Sequence, residues 1–250
     1  MSGHSKWATT KHRKAAQDKK RSALFSKLSR IITVAAKTGG DPNPDNNASL
    51  AAAIAKAKSY SLPKDKIESA IAKAFAAGEG ANFEDVVYEG YGPAGVALYV
   101  EALTDNRNRT AADVRSAFTR AGGNLGATGS VAFLFERKGQ ITLESSAVDE
   151  DELMMIVADA GGEDLEQGEE GWIVSTAPAD LFAVSRELET ANLPVKGAEL
   201  VMEPVTETTV SLTDAKKVLR LVDALEESDD IQNVYHTMEL TDEIASALDE

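Results

Sequence analysis

The sequence predicts an α+β protein, in which a helical N-terminal domain is followed by two ferredoxin-like α/β domains, one inserted in the other. Three observations lead to that class. Apolar residues recur at helical spacing from Leu24 to the end of the segment 1–78, and the period changes to that of strands afterwards. Strand-like and helix-like runs then follow the order β-α-β-β-α-β across residues 138–204. The same order, cut in two, flanks that unit on both sides. The expected domains are residues 1–78, residues 79–137 plus 205–250, and the inserted residues 138–204.

In ALFSKLSRIITVAAK the positions Leu24, Phe25, Leu28, Ile31, Ile32 and Ala35 form one helical face. Lys19, Arg30 and Lys37 fall on the opposite side, with Lys27 at its edge. The stretch GGDPNPDNN stops this helix, Gly39 suiting a C-cap. A second, alanine-rich helix runs from Ala48 to Ser59, and Pro63 opens a third that ends at Gly78. So few large side chains give a thin core, so this segment is expected to pack on a neighbour or to move as a module.

After Gly78, AGVALYVEAL (94–103) reads as a strand and NRTAADVRSAFTRAGG as a helix stopped by glycine. SVAFLFE reads as a second strand, with Val131, Phe133 and Phe135 alternating on one face. The inserted unit follows: GQITLE, the helix DEDELMMIVADAGG, a short stretch around Leu165, GWIVS, the helix PADLFAVSRELETA and AELVMEPV. At the end TTVSL, a helix over TDAKKVLRLVDALEES and the strand IQNVYHTMEL complete the interrupted domain. RSAFTRAGGNLGATGSVAFLF and MMIVADAGGEDLEQGEEGWIV echo one another as helix, AGG, loop, strand.

With 43% hydrophobic and 27% charged residues the composition is that of a folded protein. There is no cysteine, which removes disulfides, thiol nucleophiles and thiolate metal sites and fits a reducing cytoplasm. No run approaches the ~20 apolar residues that cross a bilayer, and no apolar signal core precedes the basic start. That start is Lys-rich with its apolar stripe beginning only near Leu24, which argues against an organelle transit peptide. A cytoplasmic monomer with no membrane partner is expected.

Chemistry of the catalytic kind finds little support. Gly90, Gly92 and Gly95 have G-x-G-x-x-G spacing, but a strand follows where a dinucleotide site needs a helix, so a glycine turn between strands is expected. The three histidines, His4, His12 and His236, form no ligand set or triad, so no metal and no cofactor are expected. The acid clusters Asp149–Glu152 and Asp223–Asp230 read as solvated surface. No catalytic residue is assigned and the protein is not expected to be an enzyme.

Two constellations stand out. Residues 1–37 hold ten Lys or Arg against one acid, Asp18, a net of +9 in a chain whose total is −15. The other 213 residues therefore carry −24. Clustered cations neutralise phosphates by releasing counterions, and Trp7 and His12 offer flat faces for stacking on bases. The second is TDNRNRT (104–110), where Thr110 and Asp113 resemble a capping box. Arg107 and Arg109 then sit at the positive end of a helix, which calls for an anion: a phosphate, or a carboxylate such as Glu89, Glu101 or one from another domain.

GHSKWATTKHRKAAQDKKR, YEGYGPAGVA, LTDNRNRTAADVR, AGGNLGATGSVAFLF and VLRLVDALEESDDIQNVYH resemble the YebC family, collinearly over essentially the whole chain. That family includes the mitochondrial translational activator of cytochrome oxidase. The resemblance implies a helical domain plus two α/β domains, one interrupted by the other, and no catalytic residues. It implies nucleic-acid contacts at Lys6, Trp7, Lys11, His12, Arg13, Lys14, Lys20 and Arg21, with Arg107 and Arg109 as a second set. Bacterial members generally carry the label of DNA-binding transcriptional regulators, whereas the mitochondrial relatives act on the ribosome. The alanine-rich second helix departs from this picture, having few side chains with which to touch nucleic acid.

The expected function is a non-enzymatic regulator that binds nucleic acid, either ribosomal RNA as a translation factor or DNA as a transcription factor. The first helix carries many cations but almost no Asn or Gln for base reading, which favours structured RNA. The rival class is a protein-docking adaptor whose basic end is a partner patch.

Overall fold

The computed structural model describes residues 18–76, 83–144, 149–168 and 171–246. The described residues form two compact units: residues 18–134 together with Thr206–Glu239, and Phe135–Val205 with residues 240–246. The first unit begins with helices α1 (Asp18–Gly39), α2 (Ala48–Ser59) and α3 (Lys64–Phe75). The later elements are β1 (Glu84–Tyr91), β2 (Ala97–Thr104), α4 (Arg107–Arg120), β3 (Asn124–Leu125), β4 (Phe135–Glu144), α5 (Glu150–Ala160), β5 (Asp164–Gly168), β6 (Gly171–Thr176), α6 (Leu181–Thr190), β7 (Val195–Pro204), α7 (Leu212–Glu226), β8 (Ile231–His236) and α8 (Asp242–Ser246).

Helix α1 buries Leu28, Ile32 and Ala36, four residues apart, against Leu50, Ala53 and Ala57 of α2 and Ile67 and Ala70 of α3. Its end is set by two glycines. Gly40 adopts φ +69° while its amide donates to the Ala36 carbonyl at 3.1 Å. A Cβ on Gly39 would overlap the Asn47 side chain. Asn47 needs that room because it accepts from the Leu50 amide at 3.0 Å, capping α2, and donates to the Ala35 carbonyl at 3.0 Å. The core between these helices is rich in alanine, and polar side chains of α1 tie it to the adjoining sheet and to the end of α7. Lys27 and Arg30 make that contact. Lys27, buried rather than at the edge of a solvent face, donates from Nζ to the Glu226 carbonyl at 2.6 Å.

That sheet has the order β3-β1-β2-β8, all antiparallel. α4 buries Thr110, Val114 and Phe118 at i, i+4 and i+8, and α7 buries Val218, Leu221, Val222 and Leu225, each on the face turned to the sheet. The glycines of YEGYGPAG serve this packing. A Cβ at Gly90 would press on Phe118 and on the Asn124 carbonyl, and Gly95 turns the β1–β2 hairpin at φ +77°.

The fold class is the expected one, but the strands of the interrupted sheet are chosen differently. SVAFLFE is not a strand of this sheet: Ala132–Leu134 form a 3-10 turn, and Phe135 opens β4 of the other unit. Val131 is buried while Phe133 is 70% exposed, so the expected alternation fails. TTVSL likewise contributes only a single bridge, Thr208 to Met238, before Ser211 caps α7. Their places are taken by β1, which pairs with β2 from Glu84↔Thr104 to Tyr91↔Ala97, and by the short β3 on the other side of β1.

Glu89 explains the turn. It lies on the face of β1 opposite Gly90, away from the helices, and is 3% exposed. Its carboxylate accepts from the amides of Gly129 (2.6 Å), Val131 (2.8 Å) and Ala132 (2.8 Å). Three charge-assisted bonds take the amides a strand would have offered to a neighbour.

The second unit's sheet has the order β5-β6-β4-β7, antiparallel throughout, with α5 and α6 as the crossovers. This is the ferredoxin-like β-α-β-β-α-β arrangement. Ile141, Leu143, Trp172 and Val174 of the sheet pack against Leu153, Val157, Val184 and Leu188 of the helices. Gly161, at φ +93°, ends α5 in the left-handed conformation read from AGG.

Replacing Glu89 by alanine takes the shared acceptor from three amides, that of Val131 buried and those of Gly129 and Ala132 partly so. The variant should lose about 3 kcal/mol of unfolding free energy in urea titration. An unchanged midpoint would mean that residues 129–132 are held by something else.

Candidate nucleic-acid interface

Of the sequence-derived contacts, Lys6, Trp7, Lys11, His12, Arg13 and Lys14 lie outside the described residues. Lys20 and Arg21 lie in the first turns of α1, with their side chains outside the described set. The Arg107 and Arg109 set is described in full.

Helix α4 starts at Arg107, and its N-cap is Asn106, whose side chain accepts from the Arg109 amide at 3.1 Å. The expected Thr110–Asp113 capping box is therefore not the cap. Thr110 is 1% exposed, and its hydroxyl lies 2.7 Å from Thr104 Oγ1 and 2.7 Å from Asp230 Oδ2. The anion at this helix terminus is thus Asp230. Arg109 donates to Asp230 Oδ2 at 2.8 Å and to Asp105 Oδ1 at 2.9 Å, rather than to Glu89 or Glu101. Arg107 is exposed and has no ion pair among the described residues, while its carbonyl accepts from the Tyr88 hydroxyl at 3.2 Å.

Asp230 was read from sequence as part of a solvated acid run, but it is 6% exposed. On its other oxygen it receives Arg30 of α1 at 2.7 Å, and the same Arg30 nitrogen also donates to the carbonyls of Leu103 (3.0 Å) and Asp229 (2.9 Å). The Arg30 guanidinium stands 5.0 Å over the Phe83 ring. Burial alone would raise the Asp230 carboxyl, but hydrogen bonds from Arg109, Thr110 and Arg30 outweigh it and hold the group down to about 2. Arg109 is correspondingly raised by its bonds to Asp230 and Asp105. Arg30, expected on a solvent face, is instead the tie between the helices and the sheet. Nothing in the local sequence of either partner signals a pair 200 residues apart.

No helix among the described residues is long and apolar enough to cross a membrane. No group of three or more His, Asp or Glu suited to a metal ion occurs among them.

Two family models match the chain. One described as "TACO1/YebC protein N-terminal domain" covers residues 5–77, and one described as "TACO1/YebC second and third domain" covers residues 83–238. A protein of Bifidobacterium longum (strain DJO10A) named "Probable transcriptional regulatory protein" is 51% identical over 251 residues, spanning 100% of both chains. A protein of the same name from Rubrobacter xylanophilus is 49% identical over 98% of each chain. The crystal structure of the conserved hypothetical protein Aq1575 from Aquifex aeolicus superposes with a TM-score of 0.82. It is 45% identical, and the match covers 91% of this chain and 93% of that one.

Asp230→Asn should cost about 3 kcal/mol near neutral pH, because it leaves Arg30 half-buried without its counter-charge. The folded-state carboxyl is depressed, so its contribution is complete above the unfolded value of about 4 and is lost as pH falls towards 2. The gap between wild type and D230N, followed by circular dichroism in denaturant, should therefore close across that window. Among the arginines, R109A should lower the melting temperature measurably, whereas R107A should leave it within error.

Proposed function

The chain belongs to the TACO1/YebC family, and on that footing we propose that it is a non-enzymatic, nucleic-acid-binding regulator of gene expression that works as an RNA-associated translation factor on the ribosome. The observation that carries this reading is the separation of charge, +9 over residues 1–37 against −24 over the rest. A polyanion attracts the first part and repels the second, so binding is confined to the basic end while the acidic body stays outside. Lys6, Lys11, Arg13, Lys14, Lys20 and Arg21 take phosphates, and Trp7 and His12 stack on exposed bases. Arg107, exposed at the start of α4, adds a phosphate contact. Arg109, already shared between two carboxylates, mainly positions that helix start.

The name carried by the bacterial relatives favours a second reading, a DNA-binding transcriptional regulator. Duplex recognition places a helix carrying several base-reading side chains in the major groove, and Gln17 is the one amide in the basic run up to Arg21. Single-stranded or structured RNA needs only charge and stacking, which is what the segment offers. The protein then works in the cytoplasm as a monomer.

Ultraviolet crosslinking in living cells, followed by sequencing of the attached nucleic acid, separates the two. Reads piled on ribosomal RNA at one or two positions are expected. Discrete chromosomal sites upstream of genes, without ribosomal enrichment, would replace the translation reading with the transcriptional one.

A further inference from the structure

Helices α1 and α3 enclose a groove of about 970 Å³. From Ser22 to Lys37 along α1 it is about 22 Å long, at the 1.5 Å rise of a helix. Its charged lining is three lysines, Lys37 of α1 and Lys66 and Lys73 of α3, with Arg30 and one acid, Asp65. In a chain of net charge −15 this is a positive groove with both walls described, and it continues along the helix that begins with Lys19, Lys20 and Arg21. All three lysines are exposed.

The floor has a different chemistry from the rim. Ser22, Ser26, Thr38 and Ser69 line the exposed part of the groove, and Ser29 and Thr33 its half-buried part, each with a single hydroxyl hydrogen. The Ser29 hydroxyl donates to the Phe25 carbonyl at 2.8 Å, and the one hydrogen of Thr33 serves the carbonyls of Ser29 and Ala70, which both lie 2.9 Å away. With the hydrogens committed to main-chain carbonyls, what these oxygens offer a guest is lone pairs. They accept from a donor and repel an anionic oxygen. Phe25 and Phe83 add flat apolar surface to the same groove.

A guest that fits must therefore present anions towards the lysine rim and hydroxyl or amino donors towards the floor. An acidic peptide meets the first condition through its carboxylates but brings no regular row of hydroxyls. A DNA strand has the phosphates and lacks the 2′-hydroxyl. A single RNA strand has both, and its 2′-hydroxyl is the group by which proteins tell RNA from DNA.

We propose that the α1–α3 groove binds a single-stranded RNA segment, with Lys37, Lys66 and Lys73 on its phosphates and Ser29 and Thr33 accepting from ribose 2′-hydroxyls. The inference rests on the RNA reading above and extends it from the basic N-terminal segment to a second helix, α3.

The test uses the full chain, a fluorescein-labelled twelve-nucleotide RNA of mixed sequence and the DNA strand of the same sequence, with anisotropy read across a salt series. Wild type should prefer the RNA. K66Q/K73Q should lose on the order of 20-fold in RNA affinity at 0.1 M salt and flatten the salt slope by about 1.4, at roughly 0.7 per single-strand phosphate. Both lysines are exposed, so the melting temperature should not move. T33V, which removes the floor acceptor, should shrink the preference for RNA over DNA. If K66Q/K73Q binds like wild type while K11Q/K14Q loses affinity, the groove is overturned and the basic N-terminal segment stands. If wild type binds neither strand, both fall. Displacement of the RNA by poly-glutamate through the same two lysines, with equal affinity for DNA, would make the groove a protein-docking site and overturn the RNA assignment.

Discussion

One buried carboxylate sets the geometry of the larger unit. Asp230 stands at the point where α1, the end of β2, the start of α4 and the start of β8 converge, and it bonds to side chains from the first three. A carboxylate there satisfies the positive end of α4 and neutralises Arg30 and Arg109 together. Without it two guanidinium groups would face one another across a helix terminus. The helices α1–α3, whose core is partly alanine, could not supply an equivalent attachment through apolar area alone.

The same unit holds a second inward carboxylate, Glu89, which collects three amides where Asp230 collects cations and hydroxyls. Both turn negative charge into architecture. Asp230 also fixes neighbours of the candidate contacts: it holds the turn carrying Arg107, and the Arg30 that it binds lines the groove between α1 and α3. Cations that bind phosphate are useful only if their backbone is held while the side chain stays in solvent, which is the condition of Arg107, Lys66 and Lys73.

Much of this was legible in the sequence, and the failures share a cause. The three N-terminal helices, both helices of the inserted unit and its four strands follow from periodicity and glycine stops, because local burial decides them. SVAFLFE alternates like a strand, yet Glu89, some forty residues earlier, takes its amides and turns it. Thr110 looks like a cap but faces the interior, because Asn106 caps first. Asp230 and Arg30 look like surface charges, since each lies among polar neighbours and its partner is distant. Long-range polar bonds leave no period to read. The basic N-terminal contacts follow from clustered charge, the rings of Trp7 and His12 and the family resemblance, whereas Lys66 and Lys73 share their helix with Asp65 and Glu68 and form no cluster in sequence.

The insertion has a temporal consequence. Phe135 pairs with Pro204, so the inserted unit begins and ends at neighbouring points and closes entirely on its own strands. Arg30, by contrast, waits for a partner that lies 200 residues further along. At the ~5–20 residues per second of synthesis that interval is about 10–40 s. The four-stranded sheet of the inserted unit can close on the nascent chain during that wait. The interrupted sheet receives its last strand, and α1 its anchor, only when Asp230 has emerged. Of the described helices, the one that follows the densest run of positive charge is thus the first to be made and among the last to be fixed in place.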